Sequence, residues 1–158
     1  MFPPQPKGWG FHKTIYMKKK NWIYFGVFIS DDAKHLNEIA IEKQGMDIPS
    51  NWKTFNHHMT IAFNNGSEEA KSLYKYYQIY LEDPVMKNPI TSLVIDGIGV
   101  SDEAIAVRVR WNLPIANKIP HITIATPPNG KPVNSNKITK WYDIEPYQIT
   151  GTIQAFTK

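Results

Sequence analysis

A five-residue pattern that occurs twice constrains this chain more than any other feature of its sequence. The segments HMTIA at residues 58–62 and HITIA at residues 121–125 agree at four of five positions and begin 63 residues apart. Both alternate polar and apolar residues, which predicts a β-strand with one buried face. In a chain of this composition, about 0.1 match to a His-apolar-Ser/Thr-apolar pattern is expected by chance. The second copy therefore indicates that the two strands contribute to one functional site.

The remaining periodicity predicts an α+β fold. Two helices should follow Ser30 and Ser67, because serine is a good N-cap and two acidic residues follow each serine in the first turn. Gly45 and Asp83-Pro84 should end these helices. A short third helix is predicted from residue 135 or 136 to residue 141. Strands are predicted at residues 22–29, 58–63, 90–100, 104–111, 121–126 and 147–156.

Length and composition narrow the class of protein. The 158 residues suit one domain, which we place at residues 22–158, after a loose Pro- and Gly-rich arm at residues 1–21. The absence of cysteine excludes a disulfide scaffold, a thiolate zinc site and a cysteine nucleophile. No apolar run approaches the ~20 residues needed to cross a membrane, and the N-terminus has no secretory pattern. We therefore expect a cytoplasmic protein with no membrane association.

The repeated pattern brings together groups that can transfer protons. On a strand, residues i and i+2 project from the same face, so His58 lies beside Thr60 and His121 beside Thr123. If the two strands meet across a groove, the set suits phosphodiester cleavage: one histidine takes a proton from water, and the other gives one to the leaving ribose oxygen. The hydroxyls would donate to the non-bridging phosphate oxygens. Which histidine is the base stays open.

A metal centre is the weaker interpretation of the same residues. Two histidines without a third ligand fall short of a catalytic zinc site, and the sequence contains neither an HExxH motif nor an aspartate cluster. We therefore expect no metal and no other cofactor. The formal net charge of +4 permits a polyanionic ligand.

The paired His-x-Thr motifs resemble those of the 2H phosphoesterase superfamily. More narrowly, residues 117–126, the following segment 130–136 and Trp141 resemble the cyclic phosphodiesterase domain at the C-terminus of fungal tRNA ligases. In that domain a Pro-His-hydrophobic-Thr strand precedes a Lys-Pro-Val-x-Ser-Asn element. The closing segment, residues 151–156, is similar to the last strand of that domain. The general likeness covers roughly residues 22–158, and no ligase or kinase domain accompanies it, which suggests a freestanding version.

The resemblance implies a fold and an activity. The expected fold is the bilobal 2H phosphoesterase (LigT-like) fold, in which two pseudo-symmetric antiparallel sheets flank a cleft with helices outside. The implied activity is metal-independent hydrolysis of an RNA 2′,3′-cyclic phosphate, or of a related nucleotide phosphodiester, with His58, Thr60, His121 and Thr123 as the catalytic residues. The fungal domain leaves a 2′-phosphate on the RNA.

Substrate contacts are predicted from residue type alone. Arg108 and Arg110 share one face of a predicted strand, and Lys131 follows the second motif, so each is a candidate to bind phosphate. Trp52 and Tyr142 are candidates to stack on a base. Solvated positions for the basic residues and packed positions for the aromatic ones are the alternatives.

Two other functions remain open at this stage. The same chemistry could serve a viral or phage enzyme that degrades 2′-5′ oligoadenylate or cyclic oligonucleotide defence signals, in which case the location would be the host cytoplasm. The chain could instead be a non-catalytic RNA-binding module. The intact histidine and threonine pairs count against that, because a pure binder does not need paired proton-transfer groups. The expected partner is an RNA end or a nucleotide, and no protein partner is predicted.

Overall fold

A computed structural model describes residues 21–157, which form seven strands, two α-helices and a 3₁₀ helix. The predicted arm at residues 1–21 lies outside the described residues, apart from residue 21. The strands are β1 (Trp22–Ile29), β2 (Lys53–Thr54), β3 (His58–Phe63), β4 (Ile90–Val100), β5 (Ile105–Arg110), β6 (His121–Thr126) and β7 (Lys140–Thr157). The α-helices are α1 (Asp31–Lys43) and α2 (Glu68–Glu82), and the 3₁₀ helix is Pro132–Lys137.

The two predicted helix starts are confirmed. Ser30 and Ser67 are the N-caps, and their hydroxyls accept hydrogen bonds from the backbone N–H groups of Ala33 and Ala70, each at 3.1 Å. Acidic residues occupy both first turns, where they face the positive end of the helix dipole. Neither α-helix within residues 21–157 is long and apolar enough to cross a lipid bilayer.

The strands form one antiparallel sheet that closes on itself. Its order is β2-β6-β3-β1-β7-β4-β5, and β5 also pairs with β6, so six strands close into a barrel within the described part of the chain. The short strand β2 lies on the same edge of β6 as β3 does, and pairs with β6 near its C-terminal end. Closure leaves few unpaired backbone groups at sheet edges.

The predicted pair of sheets flanking a cleft with helices outside is therefore wrong. Strands from the two halves of the chain are hydrogen-bonded neighbours: β1 pairs with β3 on one side and β7 on the other, and β6 pairs with both β3 and β5. Two separate sheets flanking a cleft would not form such a closed ring of paired strands. Alternation of side chains identifies the faces of a strand but not its neighbours, so the sequence pattern could not reveal this closure.

The end of the chain also differs from the sequence prediction. The short helix predicted for residues 135–141 is replaced by the 3₁₀ helix at 132–137, which begins with a proline in its first turn. Strand β7 begins at Lys140 and runs for 18 residues, although it contains Pro146. Its pairing with β4 skips residues 144–146, so the proline falls where the ladder is interrupted.

The alternation in the motif strands separates the core from the candidate site. Met59, Ile61, Ile122 and Ile124 are almost completely buried and belong to the main hydrophobic core. The histidine and threonine of each motif project from the opposite face, because side chains alternate along a strand. Burial of the apolar residues therefore holds the polar residues of both motifs on the other face of these strands.

Gly26 on β1 should be one of the least replaceable glycines. A Cβ atom there would lie 2.1 Å from the Met59 carbonyl oxygen on β3. We expect Gly26→Ala to lower the free energy of unfolding by about 1–3 kcal/mol, because the two strands must separate. Chemical denaturation measures the loss. Gly45→Asn is the control, since Gly45 has open space and a left-handed backbone that asparagine tolerates; equal losses in the two variants would contradict the close-approach argument.

Candidate active site

The two motif strands, β3 and β6, are hydrogen-bonded neighbours in the barrel. Met59 on β3 pairs with Ile122 on β6 in an antiparallel register. Just before β3, the Phe55 and Asn56 N–H groups donate to the carbonyls of Ile124 and Thr123, at 2.7 and 2.9 Å. The segment that leads into the first motif is therefore hydrogen-bonded to the second motif, and this joins two segments that lie far apart in the sequence.

All four motif residues line one cavity. Its volume is about 760 Å³, within the range of small-molecule sites, and its wall includes His58, Thr60, His121 and Thr123. Two lysines, Lys34 and Lys131, lie in the same wall, and no aspartate or glutamate of the described residues lines it. The side chains that border the cavity thus carry a positive formal charge, which favours an anionic ligand. Lys34 also pairs with the exposed Asp31 at 3.6 Å, so Lys131 contributes more of this charge.

His58 is held in an aromatic environment. Its ring stacks on Tyr24 and Phe28, with centroid distances of 4.7 and 5.0 Å, and its Nε2 lies 3.1 Å from the Thr60 hydroxyl. Burial, with a smaller contribution from the adjacent His57, lowers the pKa of His58 to about 4. His58 is therefore neutral at physiological pH and can accept a proton.

His121 is oriented by the backbone. Its Nδ1 lies 2.8 Å from the Ile119 carbonyl oxygen. A carbonyl can only accept, so Nδ1 carries the proton and Nε2 is left for proton exchange. Burial lowers the pKa of His121, whereas the bond to the carbonyl acts in the opposite direction by stabilising the imidazolium. The two histidines are therefore not equivalent, because only His121 has a backbone acceptor that stabilises its cation.

Thr123 is positioned by the segment that follows it. Its hydroxyl lies 2.8 Å from the Ser135 hydroxyl and donates to the Pro132 carbonyl at 3.2 Å. Ser135 is almost fully buried and belongs to the 3₁₀ helix, which brings residues 132–135 against the second motif. The sequence placed Ser135 in the Lys-Pro-Val-x-Ser-Asn element and at a possible helix start, but assigned it no contact with Thr123. The polar stretch after the motif gave no signal that a serine twelve residues away would contact Thr123.

The basic residues proposed to bind phosphate occupy two different places. Lys131 lines the cavity. Arg108 and Arg110 are absent from the described residues that line it, and both bind Asp96, at 2.7 and 3.0 Å. Arg108 also contacts Asp143 at 2.6 Å. These carboxylates neutralise much of the charge that made the arginines candidates.

The aromatic candidates also lie apart from the motif residues. Trp52 is half-buried and Tyr142 is exposed, and neither is among the described residues that line the cavity. The aromatic residues of the wall come instead from β1, β3, β7 and the segment just before β3, as Tyr24, Phe28, Phe63, Phe156 and Phe55. The spacing of Tyr24 and Phe28 was the available signal, since both share one face of β1. This spacing did not identify the two aromatic residues as part of the site, because β1 contains apolar residues on both faces and was interpreted as a buried strand.

The described residues offer little to hold a metal ion. Within residues 21–157, no three His, Cys, Asp or Glu side chains come together as a ligand set. The cavity contributes imidazoles, hydroxyls and ammonium groups. Together these can remove a proton, donate a proton and stabilise negative charge on a phosphate.

Comparison with known proteins identifies the family. A model of the fungal tRNA ligase phosphodiesterase domain matches residues 35–155, which include both motifs. The crystal structure of a fungal RNA kinase is similar in fold, with a TM-score of 0.54 at 15% sequence identity; the match covers 96% of this chain and 45% of that chain. No curated protein matches the sequence. The likeness inferred from the motifs is confirmed, and the chain belongs to the fungal tRNA ligase phosphodiesterase domain family.

Proposed function

We propose that this protein is a metal-independent phosphodiesterase that opens a 2′,3′-cyclic phosphate at an RNA end or on a nucleotide. Family membership supports an enzyme acting on phosphodiester bonds. The observation that carries the proposal is that both His-x-Thr pairs line one cavity, whose described wall contains lysines but no carboxylate. Such a wall suits an anionic substrate and acid–base chemistry on it.

In the proposed reaction, His58 is the general base and His121 the general acid. Neutral His58 takes a proton from water, and the water oxygen bonds to phosphorus. The bond from phosphorus to one ribose oxygen breaks, and that oxygen receives the proton from Nε2 of His121. The product is a ribose phosphate monoester. The Ile119 carbonyl supports this assignment, because it stabilises His121 as the cation that must donate.

The threonines are proposed to stabilise the charge that develops on phosphate. Their hydroxyls would donate to the non-bridging oxygens, where negative charge increases in the transition state. Thr60 contacts His58, and Thr123 contacts Ser135 and Pro132. These contacts hold each hydroxyl in place before the substrate binds. Lys131 is proposed to attract the phosphate to the cavity.

The activity should survive chelation. We expect RNA ending in a 2′,3′-cyclic phosphate to be hydrolysed at an unchanged rate in excess EDTA, because the proposed groups transfer protons without a Lewis acid. Product analysis by chromatography measures the rate and identifies the monoester. His121→Ala in the same buffer controls for background hydrolysis. Loss of activity in EDTA that zinc or manganese restores would contradict the mechanism.

The same assay separates the alternative functions when the substrates are varied. A panel containing the cyclic-phosphate RNA, a 2′-5′ oligoadenylate and a cyclic dinucleotide should show the highest kcat/KM for the first. A higher value for either of the others would assign the enzyme to signal degradation. Tight RNA binding without hydrolysis of any member would support a binding module.

The rate should depend on pH as a bell-shaped curve that lies on the acidic side. His58 must be neutral, so kcat/KM should decrease at pH values below the His58 pKa of about 4. His121 must be protonated, so kcat/KM should also decrease at pH values above the His121 pKa, which burial lowers from about 6.5. Bound phosphate should raise both pKa values and so shift the pH profile of kcat towards higher pH. Rates measured across pH 3–9 test this; a flat profile would show that neither histidine limits turnover.

A further inference from the structure

We propose that Asn56 is a positioning residue for the reaction, which fixes the start of the first motif strand against Thr123 of the second motif. Its side chain is held by a buried polar chain, formed by the side chains of Tyr147, Asn37 and Asn56. The inference deepens the proposed function and rests on it. Asn56 is not among the described residues that line the cavity, so it acts through the motif residues and not on the substrate.

The backbone of Asn56 makes a left-handed turn just before the first motif. Its φ is 66°, a region that asparagine adopts more readily than most other residues. The turn lies two residues before His58, and the Asn56 N–H donates to the Thr123 carbonyl at 2.9 Å. Thr123 follows His121 by two residues on β6. The turn therefore ties the approach to His58 to the strand that carries the other histidine.

This tie matters because the two motif strands share little of their own ladder. Within the described residues, the ladder between β3 and β6 contains one residue pair, Met59 and Ile122. A single pair leaves the relative position of the two strands weakly fixed, because each ladder bond adds one constraint. The bond from Asn56 to Thr123 supplies another constraint beside that pair. The separation of the two catalytic pairs therefore depends on the geometry of the turn.

The side chain of Asn56 is bound at both of its polar atoms. Its Nδ2 donates to the Lys34 carbonyl at 2.9 Å, and its Oδ1 accepts from Nδ2 of Asn37, also at 2.9 Å. Asn56 is 5% exposed and Asn37 is fully buried. A buried amide that loses a partner costs free energy, because water does not replace the lost bond. The side chain is therefore held in one placement, and it holds the left-handed turn with it.

The polar chain has a single direction. The Lys34 carbonyl can only accept, so the amide nitrogen of Asn56 must face it. The oxygen of Asn56 then faces Asn37, which must donate, and the oxygen of Asn37 accepts from the Tyr147 hydroxyl at 2.7 Å. Burial raises the pKa of Tyr147, so this hydroxyl keeps the proton that it donates. A change of donor to acceptor at any link therefore leaves two acceptors facing each other.

The polar chain anchors the turn to segments distant from the motifs. Asn37 and Lys34 lie on α1, and Tyr147 lies on β7. Lys34 also lines the cavity, so the helix that holds Asn56 contributes a cation to the same wall. Proton transfer requires the reacting atoms to lie within hydrogen-bond reach of their partners. Loosening of the turn should therefore reduce the rate, even though Asn56 itself transfers no proton.

Two substitutions at Asn56 test the turn by kinetics. Asn56→Gly accepts the left-handed backbone and keeps the N–H, but removes the side chain. Asn56→Asp keeps the shape and replaces the donor to Lys34 by an acceptor. With adenosine 2′,3′-cyclic phosphate, we expect both to lower kcat by about 10–10²-fold, because misplacement of catalytic groups costs rate. KM should change less than about threefold, since the groups that bind phosphate remain.

Asn88 provides the matched control. It is also an asparagine with a left-handed backbone, at φ 57°, and it is exposed and outside the described cavity wall. Asn88→Gly and Asn88→Asp should leave kcat and KM unchanged. Tyr147→Phe removes the last donor of the polar chain without altering the turn itself, and should lower kcat by a smaller factor than the Asn56 variants. It keeps the test decisive if an Asn56 variant does not fold.

An NMR signature of His58 adds a readout that does not require activity. The His58 ring stacks on Tyr24 and Phe28, so their ring currents should displace the signals of its carbon-bound protons. We expect Asn56→Gly to move these signals towards the positions of an unstacked histidine, and Asn88→Gly to leave them in place. Each spectrum is recorded well below the melting temperature of its variant, so that only folded protein contributes.

The outcomes separate positioning from stability and from the reaction. If kcat and the His58 signals stay unchanged in every folded variant while the melting temperature decreases, Asn56 only stabilises the fold and the proposal is overturned. An increase of KM at constant kcat would also overturn it. If the wild-type protein hydrolyses no cyclic phosphate, the phosphodiesterase is overturned, and displaced His58 signals in Asn56→Gly would still support the role of Asn56 in placing the first motif.

Discussion

Replacing either His58 or His121 with alanine is expected to lower kcat by about 10²–10⁴-fold, because each is proposed to supply one of the two proton transfers. The residual rates should be similar, since base and acid act in the same step. Hydrolysis of a 2′,3′-cyclic phosphate under single-turnover conditions measures the loss without interference from product release. Melting temperatures should change little for His58→Ala if the aromatic neighbours keep their contacts.

The matched control is His35→Ala. His35 lies on α1 with a largely exposed side chain and pairs only loosely with Glu38, at 3.9 Å. Its replacement should leave the rate unchanged. If His58→Ala kept full activity while His121→Ala lost it, the paired model would give way to one catalytic histidine. The pH profiles refine the test: His58→Ala should lose the acidic limb, and His121→Ala the alkaline one.

Replacing Thr60 or Thr123 with alanine is expected to lower kcat by about 10²–10³-fold, as removal of one oxyanion donor does. KM should change less, because the hydroxyl is proposed to stabilise charge that is greatest in the transition state. Both threonines are partly exposed, so neither variant should unfold. Steady-state kinetics and thermal melting together measure the two effects.

Serine at each threonine position provides the control. Thr60→Ser and Thr123→Ser retain the hydroxyl and should keep most of the activity. Losses equal to those of the alanine variants would show that packing of the methyl group matters instead. Ser135→Ala should lower kcat less than Thr123→Ala does. Ser135 contacts the Thr123 hydroxyl, but it is almost fully buried and would act only by positioning Thr123.

The helices and most strands could be predicted because their signals are local. The bounds of β1, β3 and β6 agree with the predicted 22–29, 58–63 and 121–126. Serine caps and acidic first turns lie within a few residues of the helices that they start. Strand β7 was predicted too short, because residues 140–146 include three charged residues and a proline. Its pairing with β4, a distant segment, extends it through this region.

The candidate site was predictable in part for the same reason. The spacing of two residues placed each histidine beside its threonine, which depends only on the geometry of one strand. The contacts of Ser135 and Tyr24 with the motif residues join segments that lie far apart in sequence. The arginine candidates could not be assessed in the same way. Asp96 and Asp143 bind them, and neither partner could be identified from the spacing of the arginines.

The amino-acid sequence alone determined which residues share a strand face, where the helices begin and which family the motifs resemble. All of these follow from residue type and short-range geometry. Only the tertiary structure decided that the sheet closes into one barrel, that aromatic side chains from several segments border the cavity and that burial lowers the pKa values of both histidines. Strand pairing and desolvation depend on groups brought together from distant parts of the chain, and a pattern within one strand does not contain that information.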